Sequence, residues 1–395
     1  GSVGSAEHIL FTDPQIDNAI KNLKRYVSCG PDGIFPEHII YGNSEILRKH
    51  LTVFYNEMFN RTKVPELLTV GMIIPVLKKA TLNPNNSSNY RPITIGSVHC
   101  KILEMLMMPK DSAHNTQFGF RSDRGTALPC TLLSDISAHC NDKGSPMYIC
   151  SLDAEKCFDS IWHDALFYKL YDHLPLSHWL FLCNFYKNLV SFVNFNGKYS
   201  STFNVNRGTK QGSILSPQLF NIFINDLLVE LSSCKSGINI GKTRYNSFAY
   251  ADDISVFALN IPDLQNLINC CQNYATKWRF KFGIQKTKCM IVGKSLLKQL
   301  PICSLGCNNI DYSDCLEILG THFTTNRNFT SHTEKRMQAC RQAMFSYAKL
   351  GYSYPGLSTE AKMYLWKSIG VPTLTFGLET HCMTTSLLNK IESEA

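Results

Sequence analysis

The chain has 395 residues, of which 44% are hydrophobic and 18% are charged, so it is too apolar to be disordered and long enough for several lobes. No apolar run approaches the roughly 18 residues of a membrane span, and no charged-then-apolar leader opens the sequence. The 39 Lys and Arg outnumber the 31 Asp and Glu, and the formal charge of +8 is compatible with a polyanionic partner.

Sixteen cysteines lie within apolar helical and strand patterns, which favours a reduced, intracellular protein over a disulfide framework. Cys303, Cys307, Cys315 and His322 superficially resemble a zinc knuckle. Their spacing differs from the usual pattern, and Cys315 is interpreted as preceding a core strand. We expect residues 1–2 to be a cloning remnant.

Periodicity predicts the elements of a first lobe. Apolar residues at helical spacing predict helices over 16–27 and 46–59, and the β-branched run at 72–77 predicts a strand that leads into a polar loop. Two further helical stretches flank the segment 117–121.

The pattern changes at residue 147. Residues 147–153 form a short apolar run that ends in Asp153, and an amphipathic helix is predicted to follow. The elements predicted after that helix are a strand pair at 192–195 and 202–205 around the turn Asn196-Gly197, a buried helix from about 217 to 231, a hairpin over 246–259, and three helical segments beyond 324.

Carboxylates interrupt two of these apolar strands. Asp252 and Asp253 lie inside the hydrophobic run 247–257, where an unpaired charge would be costly. Because Asp also favours tight turns, this pair alone is equally compatible with an ordinary hairpin turn. Asp153 ends another predicted strand, and acidic ends of adjacent strands can hold two Mg²⁺ ions about 3.5–4 Å apart for phosphoryl or nucleotidyl transfer.

Eight motifs in a fixed order carry a resemblance to a known family. They are Ser28-Cys29-Gly30-Pro31-Asp32-Gly33-Ile34, Asn89-Tyr90-Arg91-Pro92-Ile93-Thr94, Gln117-Phe118-Gly119-Phe120-Arg121, Leu152-Asp153 to Phe158-Asp159-Ser160, Gly208-Thr209-Lys210-Gln211-Gly212-Ser213 to Pro217, Phe248-Ala249-Tyr250-Ala251-Asp252-Asp253, Lys286-Thr287-Lys288 and Leu319-Gly320. The chain resembles the reverse transcriptase domain of non-LTR (LINE-type) retrotransposons, which is related to group II intron reverse transcriptases. Ala-Asp-Asp alone would be a weak signal, whereas the ordered series is specific.

The resemblance implies an α+β, right-hand polymerase fold with fingers, a palm built on an antiparallel sheet, and a helical thumb. The implied boundaries are an N-terminal extension over 1–60, fingers over 61–145, a palm over 146–323 with a fingers-side segment near 165–207, and a truncated thumb over 324–395. Residues 61–124 hold nine Lys and Arg against four Asp and Glu, so +5 of the +8 lies in the implied fingers. A surface for template and triphosphate needs such positive charge.

The resemblance also implies the metal ligands. Asp153 and Asp252 would bind two Mg²⁺ ions, with Mn²⁺ as an alternative, together with the carbonyl of Ala154. Asp253 would complete the acidic turn. The implied reaction is attack of a primer 3′-hydroxyl on the α-phosphate of a deoxynucleotide, with pyrophosphate leaving.

Nucleotide-binding roles follow in the same way. Arg91 and Arg121 correspond to basic residues that grip the triphosphate, and Phe158 corresponds to an aromatic residue that excludes a 2′-hydroxyl. Gln211 and Gly212 correspond to a segment that approaches the nucleotide and the template pair.

Lys286 corresponds to a lysine that protonates the leaving pyrophosphate, but Lys288 is two residues away and the residues alone do not choose between them. Leu319-Gly320 corresponds to the primer grip. Plainer alternatives stay open: Phe158 as a core aromatic on a helix, Arg121 as surface charge, and residues 211–217 as an ordinary loop into a helix.

The sequence departs from the family pattern at two places. The segment 101–117 is shorter than relatives usually show between the first two motifs, and Cys157 stands where many relatives carry Ala. Neither departure removes a catalytic group. No endonuclease and no zinc knuckle after the thumb are recognisable, so we expect the chain to be part of a longer element protein.

Together these features predict an RNA-directed DNA polymerase that acts in retrotransposition. Its expected partners are an RNA template, a DNA primer or target DNA, and dNTPs, with no membrane; its expected location is intracellular, both nuclear and cytoplasmic. The alternative is a domesticated, non-catalytic RNA-binding scaffold, which would have no reason to retain three carboxylates. A viral RNA-dependent RNA polymerase is a third alternative, but it usually carries Gly-Asp-Asp and a small residue in place of Phe158.

Overall fold

A computed structural model describes residues 11–293, 300–347, 357–380 and 383–394. The expectations for residues 1–2, for the rest of the predicted N-terminal extension before residue 11, and for parts of the predicted thumb lie outside the described residues. In the described part of the chain, no helix combines the length and apolar character that crossing a membrane requires.

The α-helices of the described chain, in order, are α1 Asp13–Lys21, α2 Pro36–Tyr41, α3 Glu45–Asn60, α4 Glu66–Thr69, α5 Val98–Leu106, α6 Ala127–Asp142, α7 Cys157–Ser160, α8 His163–Leu170, α9 Leu176–Lys187, α10 Ser216–Ser233, α11 Ile261–Lys277, α12 Thr330–Tyr347, α13 Thr359–Leu365, α14 Val371–Thr375 and α15 Thr385–Glu394. One π-helical turn, Trp366–Gly370, joins α13 to α14.

The strands, in order, are β1 Val70–Leu77, β2 Tyr90–Ile95, β3 Met147–Asp153, β4 Val190–Phe195, β5 Lys198–Tyr199, β6 Phe203–Asn204, β7 Ile238–Ile240, β8 Thr243–Tyr245, β9 Ser247–Tyr250, β10 Asp253–Ala258, β11 Lys288–Val292, β12 Cys303–Leu305, β13 Asn308–Tyr312, β14 Cys315–Ile318 and β15 Thr321–Thr324. Helices and sheets together make the α+β fold that the sequence predicts.

Contacts divide the described chain into two units. The first contains the described residues up to Ala113 with Glu155–Asp226 and Thr276–Phe280, and the second contains His114–Ala154, Leu227–Ala275 and the described residues from Lys281 onward. The predicted division into extension, fingers, palm and thumb stays a prediction.

The first unit holds a mixed sheet with the order β2-β1-β4-β5, and β6 also pairs with β4. β1 runs antiparallel to β2 and parallel to β4. Phe59 of α3 stacks on Phe181 of α9 with ring centroids 4.3 Å apart, and Phe11, which precedes α1, meets Phe59 edge to face at 4.9 Å. Aromatic burial of this kind is a large part of the stability of such a core.

The second unit is built on a six-stranded sheet with the order β12-β13-β11-β3-β10-β9. β3 lies in its interior and pairs antiparallel with β10 on one side and β11 on the other. On one of its faces, Met147 and Ile149 are fully buried in a core cluster that includes Leu133 and Ile136 of α6, and Cys150 and Leu152 on the other face are fully buried as well. A central strand buried on both faces reads as a continuous apolar run, which is why its bounds were predictable.

The helix and the strand pair predicted after Asp153 differ from the structure in detail. The amphipathic helix predicted after Asp153 is two helices, α7 and α8. Ile161 and Trp162 between them are extended, because the Ile161 carbonyl accepts a hydrogen bond from the Gly208 amide at 2.8 Å and Trp162 bridges to Arg207. The predicted strand pair is confirmed, since β6 at 203–204 runs antiparallel to β4, but the Asn196-Gly197 turn leads first into the short strand β5, which the sequence did not predict.

Candidate active site

Three carboxylates meet at one end of the β3–β10 pair. Asp153 is the last residue of β3, Asp253 is the first residue of β10, and the antiparallel register places them directly opposite each other. Directly opposed residues of such a pair have Cβ atoms about 4.5–5.5 Å apart. Asp252 lies in the turn between β9 and β10, next to Ala251, whose φ of 56° is left-handed. The hairpin predicted over 246–259, with acids at its turn, is confirmed as β9 and β10.

Negative charges are crowded at this end of the β3–β10 pair. The pKa of Asp253 rises to about 6, because the surrounding protein desolvates its carboxylate and because Asp252 and Asp153 add like charges. Lys286 offsets only part of this effect. The Asp253 side chain nevertheless retains an exposed surface, so an added cation can reach it.

Lys286 is the cation at this site. Its Nζ lies 3.1 Å from Oδ1 and 3.0 Å from Oδ2 of Asp153, and this contact raises the pKa of the ammonium. Lys288, the other candidate, instead pairs with Asp311 on β13 at 2.7 Å. The structure therefore brings Lys286, and not Lys288, to the carboxylates.

The backbone after Asp153 is held in place by a second segment. The Asp153 carbonyl accepts a hydrogen bond from the Gly283 amide at 2.8 Å, and Ala154 bridges to Phe282. Ala154 is buried. The predicted role of its carbonyl as a metal ligand stays a prediction.

Gln117 positions the acidic turn, a role that the sequence did not reveal. The segment around it adds to the edge of β9, where the Phe118 amide donates to the Ala249 carbonyl at 2.8 Å. The fully buried Gln117 side chain accepts from the amides of Gly119 at 2.8 Å and Ala251 at 2.9 Å. The residue beside Asp252 is thus fixed by a side-chain oxygen from another part of the chain.

Gly119 allows this close approach. A Cβ at Gly119 would collide with the backbone nitrogen of Ala251 and lie 2.9 Å from the Tyr250 carbonyl carbon. Only glycine lets the two backbones come so near. The motif at 117–121 contains both Gln117 and Gly119 and was the only sequence signal for them. Their separate roles in holding the Ala251 turn become visible only from the contacts in the structure.

Arg121 turns back onto its own loop. Its Nη1 donates to the carbonyls of His114 at 3.0 Å and Gln117 at 3.2 Å. These bonds stabilise the segment that supports Gln117, and the triphosphate role of Arg121 stays a prediction. Leu319 and Gly320 also lie in this unit; both have positive φ, as a tight turn between β14 and β15 requires.

The first unit contains the other four predicted site residues, which are Arg91, Phe158, Gln211 and Gly212. The half-buried Phe158 packs against Phe220 with centroids 5.0 Å apart, and its carbonyl accepts from the Thr209 amide at 2.7 Å. A Cβ at Gly208 would approach the Phe158 carbonyl oxygen to 2.8 Å, and Gly208 has a φ of +84°. The glycine of this motif therefore permits the loop to pack directly on the predicted steric gate.

Gln211 joins two motifs of the first unit. Its Nε2 donates to Oδ1 of Asp159 at 2.7 Å, and its carbonyl accepts from the Thr94 amide at 2.7 Å. Burial raises the pKa of Asp159, and the Gln211 hydrogen bond partly offsets that rise. Asp159 is a partner that sequence reasoning missed.

Gly212 and Arg91 lie near the hydrogen bond between Thr94 and Gln211, since Gly212 follows Gln211 in the chain and Arg91 is on β2, the strand that contains Thr94. Gly212 has a φ of +107°, and a Cβ there would lie 3.0 Å from the Thr94 carbonyl oxygen. Arg91 is exposed on β2, opposite Val76 of β1. The structure thus brings Phe158, Gln211 and Gly212 together, with Arg91 on the strand that Gln211 joins.

The residues of the zinc-like pattern lie on different elements of the second unit. Cys303 Sγ is 3.3 Å from Tyr312 Oη, Cys315 Sγ is 3.7 Å from His322 Nδ1, and Cys307 is exposed between β12 and β13. Cys315 begins β14 rather than preceding it.

The donor chemistry at the acidic turn suits a hard divalent cation, because the side chains of Asp153, Asp252 and Asp253 offer only carboxylate oxygens. Asp153 already binds a cationic group through both oxygens, and like-charge repulsion at Asp253 is what an added cation would relieve. Within the residues that the structure describes, no three His, Cys, Asp or Glu side chains form a ready metal cage.

Comparison with known proteins identifies the family. A model described as reverse transcriptase (RNA-dependent DNA polymerase) matches residues 77–323. The chain belongs to this family, and members of it generally use divalent metal ions.

Two relatives are mobile-element proteins of Drosophila melanogaster. The chain is 24% identical over 356 residues to the RNA-directed DNA polymerase from mobile element jockey, which covers 86% of this chain and 38% of that protein. It is 28% identical over 271 residues to the Pol polyprotein from type-2 retrotransposable element R2DM, which covers 67% of this chain and 25% of that protein. The chain thus spans well under half the length of these relatives.

A solved structure of telomerase from Candida albicans, in complex with a fragment of telomeric RNA, is also similar. It is 12% identical, has a TM-score of 0.47, and covers 89% of this chain and 66% of that one.

Proposed function

We propose that the chain is an RNA-directed DNA polymerase that extends a primer on an RNA template in retrotransposition. The observation that carries the proposal is the register of Asp153 opposite Asp253, with Asp252 in the adjoining turn, in a member of the reverse transcriptase family. The names of the jockey and R2DM relatives support the same activity. The proposed partners are an RNA template, a DNA primer or target DNA, and dNTPs, and the proposed sites of action are the nucleus and the cytoplasm.

In the proposed reaction the primer 3′-oxygen attacks the α-phosphorus, a new P–O bond forms, and the bond to the β-phosphate oxygen breaks. The primer hydroxyl loses its proton, and the leaving pyrophosphate gains one. Asp153, Asp252 and the Ala154 carbonyl would hold two Mg²⁺ ions, or Mn²⁺, which when bound neutralise charge on the attacking and leaving oxygens. Lys286 would hold the proton that passes to pyrophosphate.

Primer extension tests this proposal directly. The full chain is supplied with an RNA template, a DNA primer and Mg²⁺, and incorporation of dNTPs is compared with that of NTPs. Template-dependent dNTP incorporation is expected. RNA binding without extension would favour the non-catalytic scaffold, and a preference for NTPs would favour an RNA-dependent RNA polymerase.

Phe158→Val is expected to raise ribonucleotide incorporation relative to dNTP incorporation by about tenfold or more, because a smaller side chain relieves a clash that costs on the order of 1.4 kcal/mol. The ratio of kcat/KM for dCTP and CTP measures this effect. Phe220→Val, which removes the partner ring, is the matched control for loss of packing. If the ratio is unchanged in Phe158→Val, Phe158 is a core aromatic residue and does not exclude the 2′-hydroxyl.

Lys286→Met is expected to slow single-turnover incorporation by about 100-fold, because general acid catalysis contributes roughly 10²–10⁴-fold. Lys288→Met is the control, since its ammonium pairs with Asp311 and is expected to leave the rate within a few fold. Quench-flow measurement at saturating dNTP separates the chemical step from binding. If Lys286→Met and Lys288→Met slow incorporation equally, the assignment of Lys286 as the general acid is wrong.

A further inference from the structure

Two thiols and a carboxylate of the second unit lie together, and none of them belongs to the predicted site. Glu230 is in the last turn of α10 and Cys234 directly follows that helix; the Cys234 amide still donates to the Glu230 carbonyl at 3.2 Å. Residues four positions apart in this way share one side of a helix. On α11, the Cys270 thiol is in hydrogen-bonding contact with the side chains of both Glu230 and Cys234. The end of α10 thus meets α11 through a thiol pair with an adjacent carboxylate.

The two thiols differ in their access to solvent. Cys234 is half-buried, whereas Cys270 is only 8% exposed. Burial and the neighbouring Glu230 carboxylate raise the pKa of the Cys270 thiol, so this thiol keeps its proton until a base removes it. Glu230 is exposed, and its carboxylate is placed to accept that proton. A small oxidant can therefore reach one thiol, while the other is held beside a base.

A second group of thiols in the same unit provides a contrast. Cys150 of β3 is directly opposite Cys289 of β11, and the Cys289 thiol also contacts that of Cys303. All three of these sheet thiols have an exposed fraction of 0%. The Cys303 thiol meets the hydroxyl group of Tyr312 at 3.3 Å. Because structural cysteines without solvent access are inert, the sheet thiols serve as an internal control for the first pair.

We propose that Cys234 and Cys270 form a reversible disulfide on exposure to hydrogen peroxide, with Cys234 oxidised first and Glu230 acting as the base for Cys270. The Cys234 thiolate attacks one peroxide oxygen and the O–O bond breaks, which leaves a sulfenic acid on Cys234. The departing hydroxide takes up the proton that the Cys234 thiol lost and becomes water. This first step transfers two electrons from the sulfur to the peroxide.

The second step joins the two sulfurs. Cys270 passes its proton to Glu230, its sulfur attacks the Cys234 sulfur, and the S–O bond breaks. The hydroxyl group takes the proton from Glu230 and leaves as a second water, so two thiols and one peroxide give one disulfide and two waters. The disulfide closes the loop 234–270, which contains β9, β10 and the acidic turn. A thiol reductant restores both thiols.

Peptide mapping by mass spectrometry tests the proposal on the full chain. The reduced protein is treated with hydrogen peroxide, the remaining thiols are blocked with iodoacetamide, and the protein is digested with trypsin without reductant. The expected product is a disulfide-linked pair of peptides that contain Cys234 and Cys270 and that separate on treatment with dithiothreitol. Cys270 and Cys271 share the tryptic peptide 245–277, so variants are needed to assign the partner of Cys234.

Two cysteine variants make this assignment. Cys271→Ser is the matched control, because Cys271 is also buried on α11 but adjacent residues of a helix do not face the same way. It is expected to form the linked pair to the same extent as the unaltered protein. Cys270→Ser is expected to lose the linked pair and to accumulate sulfenic acid on Cys234, which dimedone traps.

Glu230→Gln tests the base separately from the thiols. Gln keeps the shape of the side chain but is not a base, so disulfide formation is expected to slow by about 10²-fold. Sulfenic acid on Cys234 is expected to form at an unchanged rate and to persist, because Glu230 acts only in the second step. A role of Glu230 in structure alone would not separate the two rates, and equal rates of disulfide formation with Glu and Gln would remove Glu230 from the proposal.

Three results would overturn the disulfide itself. They are full alkylation of Cys234 and Cys270 after peroxide treatment, a linked pair that persists in Cys270→Ser, and oxidation of the sheet thiols at the same rate as Cys234. Template, primer and dNTP are absent from every reaction. The outcome is therefore independent of the proposed polymerase activity, which primer extension tests on its own.

Discussion

Asp153→Asn and Asp252→Asn are each expected to reduce primer extension by about 10³-fold or more. Each removes one charged oxygen donor from the acidic end of β3 and β10, and metal ions there would contribute several kcal/mol of transition-state stabilisation, with about 1.4 kcal/mol per tenfold in rate. Asn keeps the shape of the side chain, so the strand pairing that positions it is retained. The rate of single-nucleotide incorporation on an RNA template measures the effect.

Asp311→Asn is the matched control for these variants. Asp311 is also a strand carboxylate of the second unit with a lysine partner, but it pairs with Lys288 away from the acidic turn. Its loss is expected to leave extension nearly unchanged, because exposed ion pairs contribute about 0–1 kcal/mol. Thermal denaturation of all three variants checks that they fold. Substantial residual synthesis by either Asp153→Asn or Asp252→Asn would refute the assignment of the site.

Gly119→Ala is expected to have the second largest effect, although residue 119 contributes no side chain to the chemistry. The added methyl group would meet the backbone of Tyr250 and Ala251, which cannot move aside as a flexible side chain could. Overpacking of this kind costs about 1–3 kcal/mol of folding free energy. Displacement of the neighbouring Asp252 by about 1 Å is expected to slow extension about 10²-fold.

Gly125→Ala is the control, because its Cβ would meet no atom within 4 Å. It is expected to leave extension unchanged and to raise the free energy of unfolding slightly, by about 0.4–1 kcal/mol, through lower entropy of the unfolded chain. Urea denaturation and primer extension on the same preparations measure both quantities. If Gly119→Ala behaved like Gly125→Ala, the close approach of the two backbones would not matter for the turn.

The buried strands were the most predictable part of the fold. β3 begins at Met147 and ends at Asp153 as predicted, and β9 and β10 form the predicted hairpin with Asp252 in the turn. Strands buried on both faces leave a continuous apolar run in the sequence, and a carboxylate ends that run visibly. The long helix predicted near 217–231 is also confirmed as α10.

Elements defined by distant hydrogen bonds were less predictable. The helix expected after Asp153 breaks at Ile161 because Gly208 donates to its carbonyl, and that partner lies 47 residues further along the chain. Helix α1 ends at Lys21, earlier than its apolar pattern indicates, because Asn22 caps it and Tyr26 adopts a left-handed conformation. Local propensity contains neither contact.

The sequence by itself determined the family, the three carboxylates and the order of the motifs, because these depend on residue identity and spacing along the chain. Only the tertiary structure decided between Lys286 and Lys288, since both are compatible with the motif and only one side chain reaches Asp153. It alone revealed that Gln117 and Gly119 fix the Ala251 turn, because a buried amide and a missing Cβ acquire their roles from backbone atoms more than a hundred residues away. Pairing between strands is a long-range property, and a one-dimensional pattern predicts the strands without their contacts.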